Sequence, residues 1–402
     1  MKTFYIGSKI NTNIPIKELF FVIEIYDRIK KKYIFNMKLE PVSSTEVTKV
    51  FNSRIDISIS SANEHQVWIY VYRSWNSSEP QLLLQRNIGS LSAFIHPNSF
   101  KQLTPINVKQ SHNNTCQVLS GQQMPTVILN IPRRYVFVTS EYPPDHSNDP
   151  FQRCVIEREL YDRIHGNSYP NQKSTSLCGP AAYFYCLLKE RTDLYIKAVR
   201  ELWEEGQTKI GQLEIKAGDA AKPSNFFEDD GTTPRISGID WITMGSLRDS
   251  ENFMWDYDNP TNEIAAISAP WEMHDWLKKS GAKNLQNLTT LTSSNLKNLL
   301  EINEYAKKGY RVVQLMSSPN IFNGATTPNF KAHWIVWESP LRHVIDGLPI
   351  HSQSRLTDIV DLDLFTWGEV KNLRSWNIYA ANISLQKFLN ASFGAIVFKG
   401  MN

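Results

Sequence analysis

A stretch rich in proline and aspartate, residues 141–150, divides the chain into two parts of different character. Before this stretch, short runs of β-branched and aromatic residues alternate with Ser, Asn and Pro clusters, which is typical of all-β structure. After it, helical and strand-like patterns are mixed. A chain of 402 residues is also longer than one ordinary domain. We therefore predict an α+β protein with a β-rich domain over 1–140, a linker over 141–150 and a second domain over 151–402.

The first domain is predicted to be sandwich-like, because its strand candidates are short and are separated by turn residues. The candidates are residues 19–26, 33–37, 55–59, 67–72, 81–84, 126–131 and 135–138. This part of the sequence contains no pattern of residues typical of a catalytic site. A targeting or binding module and a plain structural module both remain open. The basic cluster Arg28–Lys32 is interpreted as a solvated hairpin turn.

The second domain begins with helices and ends with strands. Its helix candidates are residues 155–164, the segment after Cys178, 193–205, 240–248, 271–279 and 294–308. Its strand candidates are residues 311–316, 333–337, 359–365 and 393–398. This order predicts a helical layer facing an antiparallel sheet across an interface.

Composition excludes several classes of protein. A formal net charge of +3 gives no general reason to expect nucleic-acid binding or membrane adsorption. The N-terminus lacks the apolar core of a secretory signal, and no apolar run is long enough to span a bilayer. We therefore expect a cytoplasmic chain in the producing cell, exported, if at all, by a route that needs no such signal.

The cysteines and histidines do not predict a cofactor. Four scattered cysteines are too few for a disulfide framework, and no Cys-x-x-Cys pair occurs. The nine histidines show no metal-ligand spacing. We predict no metal and no other cofactor. Cys186 lies on an apolar helix face and is assigned to the core.

Cys178 is the candidate nucleophile. A polar loop runs into it, and the apolar segment that follows has helical spacing. Pro180 suits the first turn of that helix, where a missing N–H costs nothing. Cys178 would then lie at a helix N-terminus, where unpaired N–H groups and the dipole stabilise a thiolate. A lone cysteine is more often a small buried hydrophobic residue, so further features are needed.

Two such features are present. Gln172 lies six residues before Cys178, where its side-chain N–H can return over the thiol to serve an oxyanion. His333 opens a strand-like run far along the chain, as the base of a Cys-His pair normally does.

These residues carry a family resemblance. In order, Gln172, Cys178-Gly179-Pro180 and His333-Trp334-Ile335-Val336 resemble the motifs of papain-fold cysteine peptidases. The closer similarity is to compact bacterial forms such as bacteriocin-processing double-glycine peptidases, which also place a Gln six residues before Cys-Gly-Pro. The chain is also similar to papain-like bacterial effector toxins. The resemblance covers about residues 150–402 and leaves the first domain unexplained.

The resemblance implies a role for each matched residue. Cys178 would attack a carbonyl carbon and form a thioester. His333 would hold the thiolate as an ion pair and then protonate the leaving amine. Gln172 and the main-chain N–H of Cys178 would form the oxyanion hole.

The residue that orients the histidine departs from the family pattern. Papain-like chains have an Asn or Asp there, often just before Ser-Trp-Gly. Here Phe365-Thr366-Trp367-Gly368 aligns by its Trp-Gly and places Phe365 in that position, and a phenyl ring cannot accept an imidazole N–H. Asp363, two residues earlier on the same strand face, is our candidate through a register shift or bulge. The alternatives are Asp361, Asp346, Thr366 and a main-chain carbonyl.

We therefore expect a cysteine protease acting on a protein or peptide substrate. The resemblance to effector toxins implies a cognate immunity or inhibitor protein. Three alternatives stay open: an amidase on peptidoglycan stem peptides, a deamidase or acyltransferase using the same thioester chemistry, and a catalytically dead binding module.

Overall fold

The structure of the chain is a computed structural model. It describes residues 2–12, 14, 16–42, 48–57, 59–74, 80–94, 115–119, 126–131, 135–251, 258, 268–290, 292–325 and 332–402. The chain divides into two compact units, Met1–Arg134 and Tyr135–Asn402. They are called the N-terminal and the C-terminal unit below. Residue 58, within the predicted strand 55–59, lies outside the described residues.

The N-terminal unit is built from strands with short 3-10 turns. The strands are β1 (Lys2–Thr12), β2 (Leu19–Asp27), β3 (Lys32–Asn36), β4 (Glu40–Pro41), β5 (Thr48–Ile57), β6 (His65–Arg73), β7 (Gln81–Ser90), β8 (Thr115–Leu119) and β9 (Thr126–Ile131). The 3-10 turns are Ile16–Glu18, Ile59–Glu64 and Leu91–Phe94. The strands form two sheets. One has the order β5-β1-β9-β8, and the other has the order β3-β2-β6-β7, with β4 paired to β2.

The two sheets share one apolar core, as a sandwich requires. Ile6 and Ile10 from β1 cluster with Phe21 and Ile23 from β2, and Leu129 from β9 joins them. Strand β1 runs parallel to β9, with Gly7 opposite Thr126. The predicted β-rich character is confirmed in the described residues. Strand β1 was missing from the predicted set, because its apolar residues are interrupted by Ser, Lys and Asn.

The C-terminal unit contains both helices and strands, so the predicted α+β class is confirmed. The helices are α1 (Arg153–Ile164), α2 (Cys178–Glu190), α3 (Thr192–Glu205), α4 (Gly238–Asp240), α5 (Ser246–Glu251), α6 (Pro270–Lys279), α7 (Leu296–Lys307), α8 (Ser318–Phe322) and α9 (Leu385–Ala391). A π-helical turn, Trp241–Gly245, joins α4 to α5. The 3-10 turns are Gly218–Ala221, Leu373–Ser375 and Ala380–Asn382.

The strands of this unit are mostly short. They are β10 (Gln207–Ile210), β11 (Leu213–Lys216), β12 (Gln286–Asn287), β13 (Arg311–Ser317), β14 (Ala332–Trp337), β15 (Arg342–His343), β16 (Val360–Asp361), β17 (Asp363–Thr366), β18 (Glu369–Asn372) and β19 (Ser392–Phe398). The predicted strand 359–365 is therefore divided between β16 and β17, with Leu362 between them. The main sheet has six strands in the order β12-β19-β13-β14-β17-β18, and every pairing in it is antiparallel.

This sheet is covered on both faces. Helix α2 is buried from Gly179 to Leu188 and contacts β14 and β17 on one face. On the other face, Leu299 and Ile302 of α7 and Phe388 of α9 form a core with the sheet. Burial on both faces explains why β14 is almost continuously apolar.

The predicted domain boundary shifts in the structure. Residues from Tyr135 onward belong to the C-terminal unit, and residues 135–138 are not a strand. Segment 141–150 does not behave as a free linker: the Tyr142 ring lies 5.0 Å from that of Phe227. Just before it, Phe137 packs on Phe151 at 5.3 Å between ring centroids. Within the described residues, no helix has the length and apolarity needed to cross a membrane.

Candidate active site

Cys178 is the first residue of α2, as predicted. Pro180 follows within the first turn, and no side chain caps the helix at Leu177. The residue is half-buried. Burial raises the pKa of the Cys178 thiol, while the main-chain N–H groups of Trp334, Gly179 and Cys178 itself act in the opposite direction. The thiol therefore lies against the main chain at the start of β14.

Gly179 allows α2 to approach this closely. A Cβ atom built there would overlap Ser268, with its Cβ at 2.5 Å, and would lie 3.5 Å from Cδ1 of Trp334. The indole N–H of Trp334 donates to the main-chain oxygen of Ser268 at 3.1 Å. The glycine of the Cys-Gly-Pro motif thus lets the first turn of α2 pack against Ser268, which in turn is hydrogen-bonded to Trp334 of β14.

His333 is buried near the start of β14. Its Nε2 lies 2.6 Å from the hydroxyl oxygen of Thr366, at the end of β17. The Trp367 ring stacks on the imidazole at 4.5 Å between centroids. Burial lowers the pKa of His333 to about 3, so the ring is neutral near pH 7.

The Cys178 thiol lies beside the main chain of Trp334, the residue next to His333, but the thiol and the imidazole are not bonded to each other. Side chains alternate along a strand, and Trp334 points toward α2. His333 therefore points to the other face of the sheet. Its register partner on the neighbouring strand β13 is Met316. Among the residues that the structure describes, no hydrogen bond joins the thiol to the imidazole. The shifts in both pKa values favour neutral groups, so the ion pair predicted from the sequence is not the state seen here.

Gln172 is buried in the loop before α2. Its Nε2 donates to the main-chain oxygen of Thr175 at 2.8 Å, and the Thr175 hydroxyl donates back to the main-chain oxygen of Gln172 at 2.7 Å. An amide has two N–H donors, so one remains for another acceptor. The structure thus holds Gln172 in a closed turn and does not show its amide at the thiol.

The loop that carries Gln172 is anchored on both sides. The N–H of Asn171 donates to the carboxylate of Asp240 at 3.1 Å, and Arg163 donates to the same oxygen at 2.6 Å. On the other side, a Cβ built at Gly368 would lie 2.6 Å from that of Asn171. Gly368 follows Trp367, which covers His333. The loop that carries Gln172 therefore contacts the segment that covers His333.

The assignment of Asp363 as the orienting residue is corrected by the structure. Its carboxylate accepts from Arg342 at 3.0 Å and from Asn372 at 3.0 Å. The reason is the register: Phe365 is paired with Val336 and stacks on Tyr185 of α2 at 3.8 Å. Asp363 shares that strand face, whereas His333 and Thr366 lie on the opposite one.

The other acidic candidates are also engaged elsewhere. Asp361 pairs with Arg342 at 3.3 Å, and Asp346 accepts from the N–H of Leu348 at 2.9 Å. Thr366, one of the alternatives considered from the sequence, is the residue at the imidazole. Trp367 and the Arg163–Asp240 pair were not predicted. The Trp-Gly after Thr366 was the signal that could have located Trp367.

The described residues contain no group of three or more His, Cys, Asp and Glu side chains placed to hold a metal ion. No protein-family model matches the chain, and no curated protein is significantly similar to it in sequence. The resemblance to papain-like peptidases therefore depends on the motif residues alone.

Proposed function

We propose that the C-terminal unit is a cysteine hydrolase that cleaves a protein substrate, with Cys178 as nucleophile and His333 as base. One observation carries the proposal: the thiol at the N-terminus of α2 lies against the N–H of Trp334, the residue next to His333. Two residues that are far apart in sequence are thus brought to the same part of the fold. Nucleophilic cysteine chemistry also needs the thiol and the imidazole within hydrogen-bond reach, so the proposal includes a change from the arrangement seen here.

The contacts of His333 support its role as the base. When Nε2–H donates to Thr366, Nδ1 is the nitrogen left to accept the thiol proton. Because His333 points to the face of β14 away from α2, bringing Sγ and Nδ1 together would take a main-chain movement at the start of α2 or of β14 as well as a side-chain rotation. Because both groups are neutral at rest, proton transfer would accompany attack, rather than precede it in a stable ion pair.

The chemistry then follows in two halves. Sγ bonds to the substrate carbonyl carbon as the thiol proton passes to Nδ1 of His333. The oxyanion that forms accepts hydrogen bonds from the main-chain N–H of Cys178 and from the second side-chain N–H of Gln172. Collapse breaks the C–N bond and leaves a thioester, and the imidazolium returns its proton to the departing amine. Water, deprotonated by His333, hydrolyses the thioester and restores the thiol.

A second candidate is a binding module that has kept the arrangement without turnover. The absence of a hydrogen bond between Cys178 and His333 in the described residues favours it. Amidase, deamidase and acyltransferase activities share the same nucleophile and base, so they remain variants of the first proposal. Action as an exported bacterial effector toxin, with a cognate inhibitor, is supported only by the resemblance.

The decisive experiment is a mass-spectrometric survey of new protein N-termini in bacteria that make the wild type, Cys178→Ala or His333→Ala. New termini in wild-type cells that both variants lack would support a protease. Growth arrest that requires direction to the periplasm, without new termini, would indicate a cell-wall amidase instead. The same set of termini in all three strains would reject the proposed chemistry.

A further inference from the structure

The turn between β2 and β3 forms a basic surface that the proposed chemistry does not use. Residues 28–39 contain five cationic residues and no acidic one. The cationic residues, all exposed, are Arg28, Lys30, Lys31, Lys32 and Lys38. We call residues 28–39 the basic hairpin.

Large apolar side chains are exposed between these cations. Ile29 at the tip is 68% exposed, Tyr33 51%, Ile34 38% and Leu39 41%. Strand β3 lies at the end of its sheet in the described topology, with β2 as its neighbour. The basic hairpin therefore presents apolar groups and positive charge on one projecting segment.

The tip is held in shape from below. Asp27 is buried, and its carboxylate accepts the N–H groups of Ile29 and Lys30, both at 2.9 Å. The N–H of Arg28 donates to the main-chain oxygen of Glu64 at 3.0 Å. Because these bonds already fix the turn, little backbone entropy is lost when Ile29 binds a partner.

We propose that the basic hairpin docks the protein on an anionic lipid surface. Lys and Arg side chains attract acidic headgroups, and apolar side chains between them enter the boundary between headgroups and acyl chains. A nucleic acid would also attract the cations, and it is left as an outcome of the test. An acidic protein partner is another such outcome. This proposal is independent of the cysteine chemistry.

The test is sedimentation of the full chain with vesicles of phosphatidylcholine alone or mixed with phosphatidylserine. Three variants are compared: a triple variant, Lys30→Gln/Lys31→Gln/Lys32→Gln; Ile29→Ser; and a matched control, Lys297→Gln/Lys307→Gln/Lys308→Gln, at exposed positions of the C-terminal unit. We expect binding only to the acidic vesicles, weakened by salt. The basic-hairpin triple variant should bind roughly a hundredfold more weakly, because three cations near the surface are lost.

Ile29→Ser should also weaken binding without changing its salt dependence, and the control should bind like wild type. Circular dichroism confirms that each variant is folded. Equal binding of the basic-hairpin triple variant and the control would overturn the proposal. So would equal binding to neutral vesicles, or retention of the protein by DNA or an acidic polypeptide but not by lipid.

Discussion

The Nε2 atom of His333 lies 2.6 Å from the hydroxyl oxygen of Thr366, on the face of the sheet away from α2. A threonine hydroxyl can accept the imidazole N–H as an amide or carboxylate oxygen would, although it carries no charge. When Nε2 carries the proton, Thr366 accepts it and Nδ1 is the ring nitrogen left free. The proposed mechanism depends on that choice of tautomer.

Replacing Thr366 should lower turnover. Thr366→Ala removes the acceptor from a buried N–H, a loss of about 1–3 kcal/mol, or roughly fivefold to 150-fold in rate. Thr366→Ser keeps the hydroxyl and should restore most of the activity. Asp363→Asn is the matched control on the same strand, and we expect little change in turnover. A larger loss for Asp363→Asn than for Thr366→Ala would show that the orienting residue is wrongly assigned.

Gln172→Ala should lower turnover on the order of a hundredfold or more, because an oxyanion donor is worth about 3–4 kcal/mol in the transition state. Its hydrogen bond to Thr175 lies within the same turn, so the thermal midpoint should change little. Thr175→Val, which removes the partner hydroxyl but keeps the Gln172 amide, serves as the control. Turnover of Gln172→Ala at the wild-type level would remove Gln172 from the proposed oxyanion hole.

Gly179→Ala should be destabilising, because the added Cβ would lie 2.5 Å from the Cβ of Ser268. Overpacking of this kind costs about 1–3 kcal/mol. The double variant Gly179→Ala/Ser268→Gly opens the space again and should recover part of the loss. Urea unfolding of both variants measures the difference. A single variant as stable as wild type would mean that α2 does not need glycine to pack against Ser268.

A half-buried carboxyl group in α1, that of Glu159, predicts a pH dependence of stability. Burial, with a contribution from Asp240, raises the pKa of Glu159 to about 7. The unfolded chain ionises this group at a lower pH, so its contribution is largest in acid and falls as the pH rises toward 7. We expect Glu159→Gln to be more stable than wild type at pH 8 by roughly 2–3 kcal/mol.

The control for this prediction is Glu157→Gln, at an exposed position on the same helix. Urea unfolding from pH 5 to pH 8 gives both profiles. If Glu159→Gln lost stability at pH 8 relative to wild type, the carboxylate would be stabilising and the assigned direction of its shift would be incorrect.

The helix after Cys178 and the strand at His333 were predictable because both are strongly apolar and short-range patterns determine them. The two-unit division was predictable too, but its boundary was placed too late. Segment 141–150 has the composition of a linker, yet its Tyr142 packs on Phe227, which lies far along the chain. Composition does not reveal such a contact.

The orienting residue could not be assigned because a one-residue change in register exchanges the two faces of a strand. Alignment by Trp-Gly suggested that Phe365 faces His333, whereas its pairing with Val336 turns it toward Tyr185. Thr366 then takes the face that had been assigned to Asp363. The Arg163–Asp240 pair was hidden for a different reason: its residues come from separate helices joined only by tertiary packing.

Labelling of the cysteines by a thiol-selective electrophile, followed by mass spectrometry, tests the central claim most directly. Cys154 is exposed and serves as an internal reference, while burial raises the pKa of Cys186 to about 12. If His333 takes the proton of Cys178, Cys178 should react faster than Cys186. His333→Ala should then slow Cys178 at least about tenfold and leave Cys154 unchanged. Equally slow labelling of Cys178 and Cys186, unaffected by His333→Ala, would contradict the account.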